Sequence, residues 1–214
     1  MPSKRVANEE SLVDRFIACF DKLGDEMVVL AGSVPSDWQL ATGDRDEYGR
    51  RRWRPIRVNT ELSLLDPIYS KLPARFPPIF ERLVLSYRWA EIDLHSHRLL
   101  ANPPGPDLNG LLQQMSGSPA MWSCLLQAGY IQFGKGPDFN FDAICFDTRS
   151  QKKNRDCMIV RIDHELHLGG EWKTRWIVRL KSAEILPDNS LKTIACASRL
   201  RIGRDKIAAD YHYY

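Results

Sequence analysis

Two ligand chemistries compete for one stretch, FGKGPDFNFDAICFD, from Phe133 to Asp147. Starting at Gly129, Gly-Tyr-Ile-Gln-Phe-Gly-Lys fits G-x-x-x-x-G-K, the arc whose backbone amides cradle phosphates. The next residue has to carry a hydroxyl for magnesium, and it is Gly136. Pro137 and Asp138 then stand where helix N-terminal amides would face the anion. Asp138, Asn140 and Asp142 space like the first half of a calcium loop. Its sixth position, where glycine turns the chain, is Ala143, and its twelfth, where a bidentate glutamate belongs, is Arg149. A reading without a ligand fits better. YIQF is a strand, GKGPD a turn with glycines free to take positive φ, and FNFDAICF the returning strand. Phe139, Phe141, Ala143 and Cys145 share one face of it and Ile144 and Phe146 the other, which predicts a strand covered on both sides.

His95 and His97 alternate on an extended piece, while His164 and His167 flank Glu165 in HELH. HELH lacks the H-E-x-x-H spacing and sits at a strand end, and no C-x-x-C pair exists to make a zinc site. No G-x-S-x-G occurs, and Ser116-Gly117-Ser118-Pro119 reads as a helix break. Cys145 and Cys157 lie in apolar segments, where burial raises a thiol's pKa and removes its nucleophilicity. We therefore expect no catalytic residue, no cofactor and no metal ligand. A metal-dependent hydrolase built on His95, His97 and His164 stands as the enzymatic alternative.

The densest charge cluster is Gly49-Arg-Arg-Arg-Trp-Arg54, with Arg57 close by. Arginines beside an aromatic can hold phosphates and stack a base. Asp44, Asp46 and Glu47 offset much of that charge, and a solvated hairpin flank is the plain reading. If the cluster has a use, an acidic protein surface suits it, and Arg51, Arg52, Trp53 and Arg54 are the partner-binding candidates. Trp89 is a further aromatic that could anchor a partner or fill the core.

These residues sit in a chain of 214, 43% hydrophobic and 27% charged, enough for one core. The formal net charge of +3, from 30 cations against 27 acids, is mildly basic and decides nothing about nucleic acid. No apolar run reaches the roughly 20 residues of a membrane helix, and the N-terminus lacks the apolar region of a secretory signal. Five widely spaced cysteines predict reduced thiols and a cytoplasmic location. Leu12, Phe16, Phe20 and Leu23 predict a helix over Glu9 to Leu23, closed by Gly24. A strand is expected at Met27 to Ala31, then a hairpin turning near GDRDEYG. Helices follow at Leu62 to Leu72, from Pro77-Pro78 through Tyr87, at Leu108 to Met115 and at Pro119 to Gln127. AEIDL, HRLLAN, YIQF, FDAICF, CMIVRID and EWKTRWIVRL are strand-like, and a last helix is expected at Asn189 to Arg199. Helices first and strands later predict α+β, a mixed and mainly antiparallel sheet packed with helices. The expected organisation is an N-terminal helix and hairpin extension over 1–60, a main domain over 61–200 and a tail over 201–214, the whole being one domain as the alternative.

FGKGPDFNFDAICFDTRSQKKNRDCMIVRIDHE resembles the SUKH superfamily, which includes cell-wall-synthesis regulators of the Smi/Knr type and bacterial immunity proteins. Gly136, Asp138, Ile144, Cys145, Phe146, Asp147, Ile159, Val160, Ile162, Asp163, His164 and Glu165 carry the likeness. Upstream, Leu72, Pro73, Phe76, Leu83 and Tyr87 match the family's helical segment. The likeness spans Leu72 to Glu165. The C-terminus departs from it: Glu184-Ile185-Leu186-Pro187 runs into Asp-Asn-Ser where members carry an aromatic. The likeness implies a non-enzymatic, protein-binding module, an immunity protein that neutralises a cognate toxin of a polymorphic toxin system by covering its active site. A regulatory scaffold of the cell-wall-synthesis type is the alternative within the family.

Overall fold

The computed structural model describes residues 4–20, 29–30, 39–94, 97–136, 142–162 and 176–180. Helix α1 spans Lys4–Ala18. It begins earlier than the apolar stripe predicts, because Lys4, Arg5, Ala7, Glu9 and Glu10 are good helix formers. Its buried face is Leu12, Val13 and Phe16, with Phe20 in the tightened last turn.

The hairpin is present. Strands β2 (Ala41–Thr42) and β3 (Arg51–Trp53) pair antiparallel, and β1 (Val29–Leu30) lies on the other side of β3. Strand β4 (Ile56–Arg57) pairs with β5 (Tyr87–Arg88), so the chain returns to a segment some thirty residues ahead in sequence. Between them lie a 3-10 turn at Leu62–Leu65, helix α2 (Asp66–Tyr69) and helix α3 (Pro78–Ser86). The single expected helix over 62–72 is thus a 3-10 turn running into a short α-helix. Pro78 opens α3, where the missing amide has no helical partner to lose. Phe80, Leu83, Val84 and Leu85 bury its inner face.

Short strands β6 (Ile92–Asp93) and β7 (Arg98–Leu99) lead to helices α4 (Asn109–Met115) and α5 (Pro119–Gln127). Then come β8 (Tyr130–Lys135), β9 (Ala143–Asp147), β10 (Met158–Ile162) and β11 (Trp176–Leu180). The six form one sheet in the order β11-β10-β9-β8-β7-β6, antiparallel at every described pairing. The architecture is α+β.

Strand β9 is covered on both faces, as its composition predicts. On one face Phe133 and Phe146 stack with ring centroids 4.0 Å apart, and Phe80 of α3 tilts onto both. Phe76 and Tyr69 extend this row of rings towards α2. On the other face Ala143, Cys145, Val160 and Ile162 pack with Leu125 of α5. Phe139 and Phe141 lie outside the described residues, as do the expected last helix and the tail. Leu12, Val13, Phe16, Phe20 and Trp53 join the same hydrophobic cluster as α3 and the sheet, so residues of the N-terminal extension help build the main core.

The stretch from Tyr130 to Lys135 is strand, not a phosphate arc. Gly129 ends α5 with a φ of 82°, the left-handed conformation glycine adopts most easily. A Cβ on Gly134 would stand 2.6 Å from the Arg98 carbonyl oxygen, so glycine is needed there for the approach of β7. Lys135 pairs with Glu91 at 2.6 Å. Of the calcium-loop residues, Asp142 receives the Arg161 guanidinium at 2.6 Å, and Asp138 and Asn140 lie outside the described residues.

Candidate interaction surface

The basic cluster falls on β3 and the turn before it. Alternation along the strand separates its members: Trp53 points inward and Arg52 outward. Trp53 is 1% exposed and meets Phe20 of α1 edge-on, with ring centroids 4.7 Å apart. Its ring is a packing group and is not offered at the surface. Arg51 turns back on the hairpin, donating from two nitrogens to the Gly43 carbonyl at 3.1 and 3.0 Å. Arg52 and Arg54 are exposed. Arg57 is drawn away to α1, pairing with Glu10 at 3.0 Å and Asp14 at 3.3 Å.

The turn itself carries what the sequence reading missed. Asp46 organises it. Its carboxylate accepts from the Tyr48 amide at 3.0 Å, the Arg50 amide at 2.8 Å and the Arg50 guanidinium at 2.8 Å. Its own amide donates to the Arg50 carbonyl at 2.8 Å. The remaining desolvation of that carboxyl disfavours its charge, but the Arg50 and Tyr48 hydrogen bonds outweigh it and hold the pKa below the ordinary aspartate value. Gly43 and Gly49, both at positive φ, let the chain enter and leave the turn.

At the tip the Arg50 guanidinium lies 4.8 Å from the centre of the Tyr48 ring, and Tyr48 is 70% exposed. A tyrosine and an arginine stacked on a turn fixed by its own hydrogen bonds are the side chains that dominate interface energies. The only sequence signal for Tyr48 is an aromatic inside an otherwise polar turn.

The other candidates are distributed differently. Trp89 is fully buried and donates its indole N–H to the Leu100 carbonyl at 2.9 Å, so it fills the core. His97 follows β6, and burial lowers its pKa against the opposing pull of Asp93. His95, His164 and His167 lie outside the described residues. Among the described residues no group of three or more His, Cys, Asp and Glu side chains could hold a metal ion. Burial pushes the Cys145 thiol well up. It also raises Cys157, with help from the Asp156 and Asp147 charges, to about 12. Neither is a thiolate at neutral pH.

Among the described residues no helix is long and apolar enough to cross a membrane. A scan against protein-family models finds no match, and a search of the curated proteins finds none.

Proposed function

We propose that this chain is a non-enzymatic protein-binding module, an immunity protein of SUKH type that neutralises a cognate toxin in the cytoplasm by covering its active site. The observation that carries this reading is the hairpin tip, where Tyr48 and Arg50 stand stacked and exposed on a turn fixed by Asp46. Such preorganisation lowers the ordering cost of binding. The resemblance over Leu72 to Glu165 supports the same reading. Its matched residues Phe76, Leu83, Ile144, Cys145 and Phe146 are buried, which suits positions that keep a fold while the surface varies with the partner. The partner is a protein, with no role for nucleic acid or a membrane.

The test has two steps. The protein is used as bait in lysate of its native host, and the captured partner is identified by mass spectrometry. The partner is then expressed alone and with this chain. A single one-to-one partner whose expression arrests growth, rescued by this chain but not by Tyr48→Ala/Arg50→Ala, supports the reading. Several wall-synthesis proteins captured together would replace it with a scaffold.

A further inference from the structure

A second cationic surface forms where two loops distant in sequence meet. Gln151 donates its side-chain amide to the Arg75 carbonyl at 2.9 Å, which brings the α2–α3 loop against the β9–β10 loop. Lys71, Arg75, Lys152 and Lys153 on these loops are exposed. Neither Lys152 nor Lys153 takes part in an ion pair among the described residues. The acids close by are largely engaged. Both Glu81 oxygens accept from Arg155, at 2.8 and 2.9 Å, and one also accepts from the Tyr69 hydroxyl. Asp156 is half-buried and accepts from the Asn154 side chain, and the half-buried Glu9 of α1 acts on Arg155.

The turn that carries the two lysines is closed by its own backbone hydrogen bonds. The Lys152 amide donates to the Asp156 carbonyl and the Arg155 amide to the Lys152 carbonyl, both at 2.8 Å. Arg155 holds a φ of 68°, and among the described residues it is the one non-glycine at positive φ. An arginine there strains the backbone, and the bidentate bond to Glu81 supplies the compensation. The turn is thereby fastened to α3. Lysines on a fixed turn lose less freedom on binding than lysines on a mobile one.

We propose that Arg75, Lys152 and Lys153 form a docking surface for a short acidic segment of a partner protein. Three cations neutralise fewer phosphates than the roughly six to ten contacts of a protein that follows a nucleic-acid backbone. This inference does not rest on the toxin reading, since any acidic protein segment would serve.

The test uses the full chain, labelled with nitrogen-15 and titrated with a short poly-glutamate peptide. We expect saturable shifts confined to residues 71–75 and 151–156 that weaken with salt. Lys152→Glu/Lys153→Glu should bind about tenfold or more weakly with an unchanged melting curve. Glu81→Gln removes an acid yet frees the turn, so weaker binding by this variant supports a preorganised surface, and equal or tighter binding overturns it. Shifts elsewhere, no shifts, or equal binding of an oligothymidylate at the same residues would overturn the proposal. Absence of peptide binding by the wild-type chain, with toxin rescue intact, would overturn this surface and leave the immunity reading standing.

Discussion

Arg155 and Glu81 meet end to end across the fold, Nη1 donating to Oε2 at 2.8 Å and Nη2 to Oε1 at 2.9 Å. The Glu81 side chain is mostly buried and Arg155 partly so. Such a pair, charge-assisted but partly wetted, contributes about 1–2 kcal/mol. The αL backbone of Arg155 costs about 1 kcal/mol. Arg155→Ala loses the bond and keeps the strain, while Arg155→Gly loses the bond and relieves it. Urea denaturation is therefore expected to find Arg155→Gly the milder variant by about 1 kcal/mol. Equal loss in both would show that the backbone is not strained.

The same pair predicts a pH dependence. Burial alone would raise the Glu81 pKa, but the hydrogen bonds from Arg155 and Tyr69 and the charges of Arg155 and Arg75 outweigh it, and the net shift is downward. A carboxyl depressed by folding stabilises above its unfolded pKa and loses that stabilisation as pH falls through the folded value. Wild type should exceed Glu81→Gln in stability at neutral pH, and the gap should close on acidification below the ordinary glutamate range. A gap independent of pH would mean that the carboxylate's charge is not what matters.

Trp53 and Tyr48 lie a few residues apart on the hairpin and should behave in opposite ways. Trp53→Ala empties a packed site against Phe20 and is expected to cost about 3–5 kcal/mol, a large part of a typical domain's stability. Tyr48→Ala removes an exposed ring and should change stability by no more than about 0.5 kcal/mol. In the partner complex, Tyr48→Ala is expected to weaken binding by about 2 kcal/mol or more. Calorimetry on the captured partner checks this, and unchanged affinity would move the contact away from the tip.

Gly134→Ala would place a methyl group 2.6 Å from the Arg98 carbonyl oxygen and 3.3 Å from Ile144 Cβ. Backbone cannot yield as a side-chain end can, so a loss of about 1–3 kcal/mol is expected. Hydrogen exchange should quicken first at Leu100, whose amide donates to the Phe133 carbonyl at 3.0 Å. Unchanged protection there would show that β7 shifts without cost.

Thiol labelling separates the cysteines. Cys145 and Cys157 are buried with raised pKa values, whereas Cys19 and Cys124 are half-buried. Iodoacetamide should modify Cys19 and Cys124 in the native protein and reach Cys145 and Cys157 only on unfolding. Rapid native labelling of Cys145 would reopen a nucleophilic role.

Elements with a strong period were legible in the sequence: α3 from its proline start and apolar face, and β9 from its two-sided composition. The α1 stripe was legible and the helix start was not, because Lys4, Arg5, Glu9 and Glu10 favour helix by propensity and carry no apolar period. Trp53 was misleading for a physical reason. Among four arginines it looks like surface, yet strand alternation turns one residue inward between two that face water. The Glu81–Arg155 pair left no local trace, since its partners are joined only by tertiary packing. Tyr48 was hidden by the turn composition around it.

The burial of α1 against α3 has a consequence during synthesis. Val13 and Phe16 leave the ribosome long before Leu83 and Val84, the side chains of the core cluster they share. Until then the apolar stripe has no permanent cover, and the hairpin's Trp53 can shield only part of it through Phe20. Contacts between residues so distant in sequence slow folding, because loop closure costs entropy before they form. The nascent protein thus leaves most of that stripe uncovered for the time needed to make more than sixty residues.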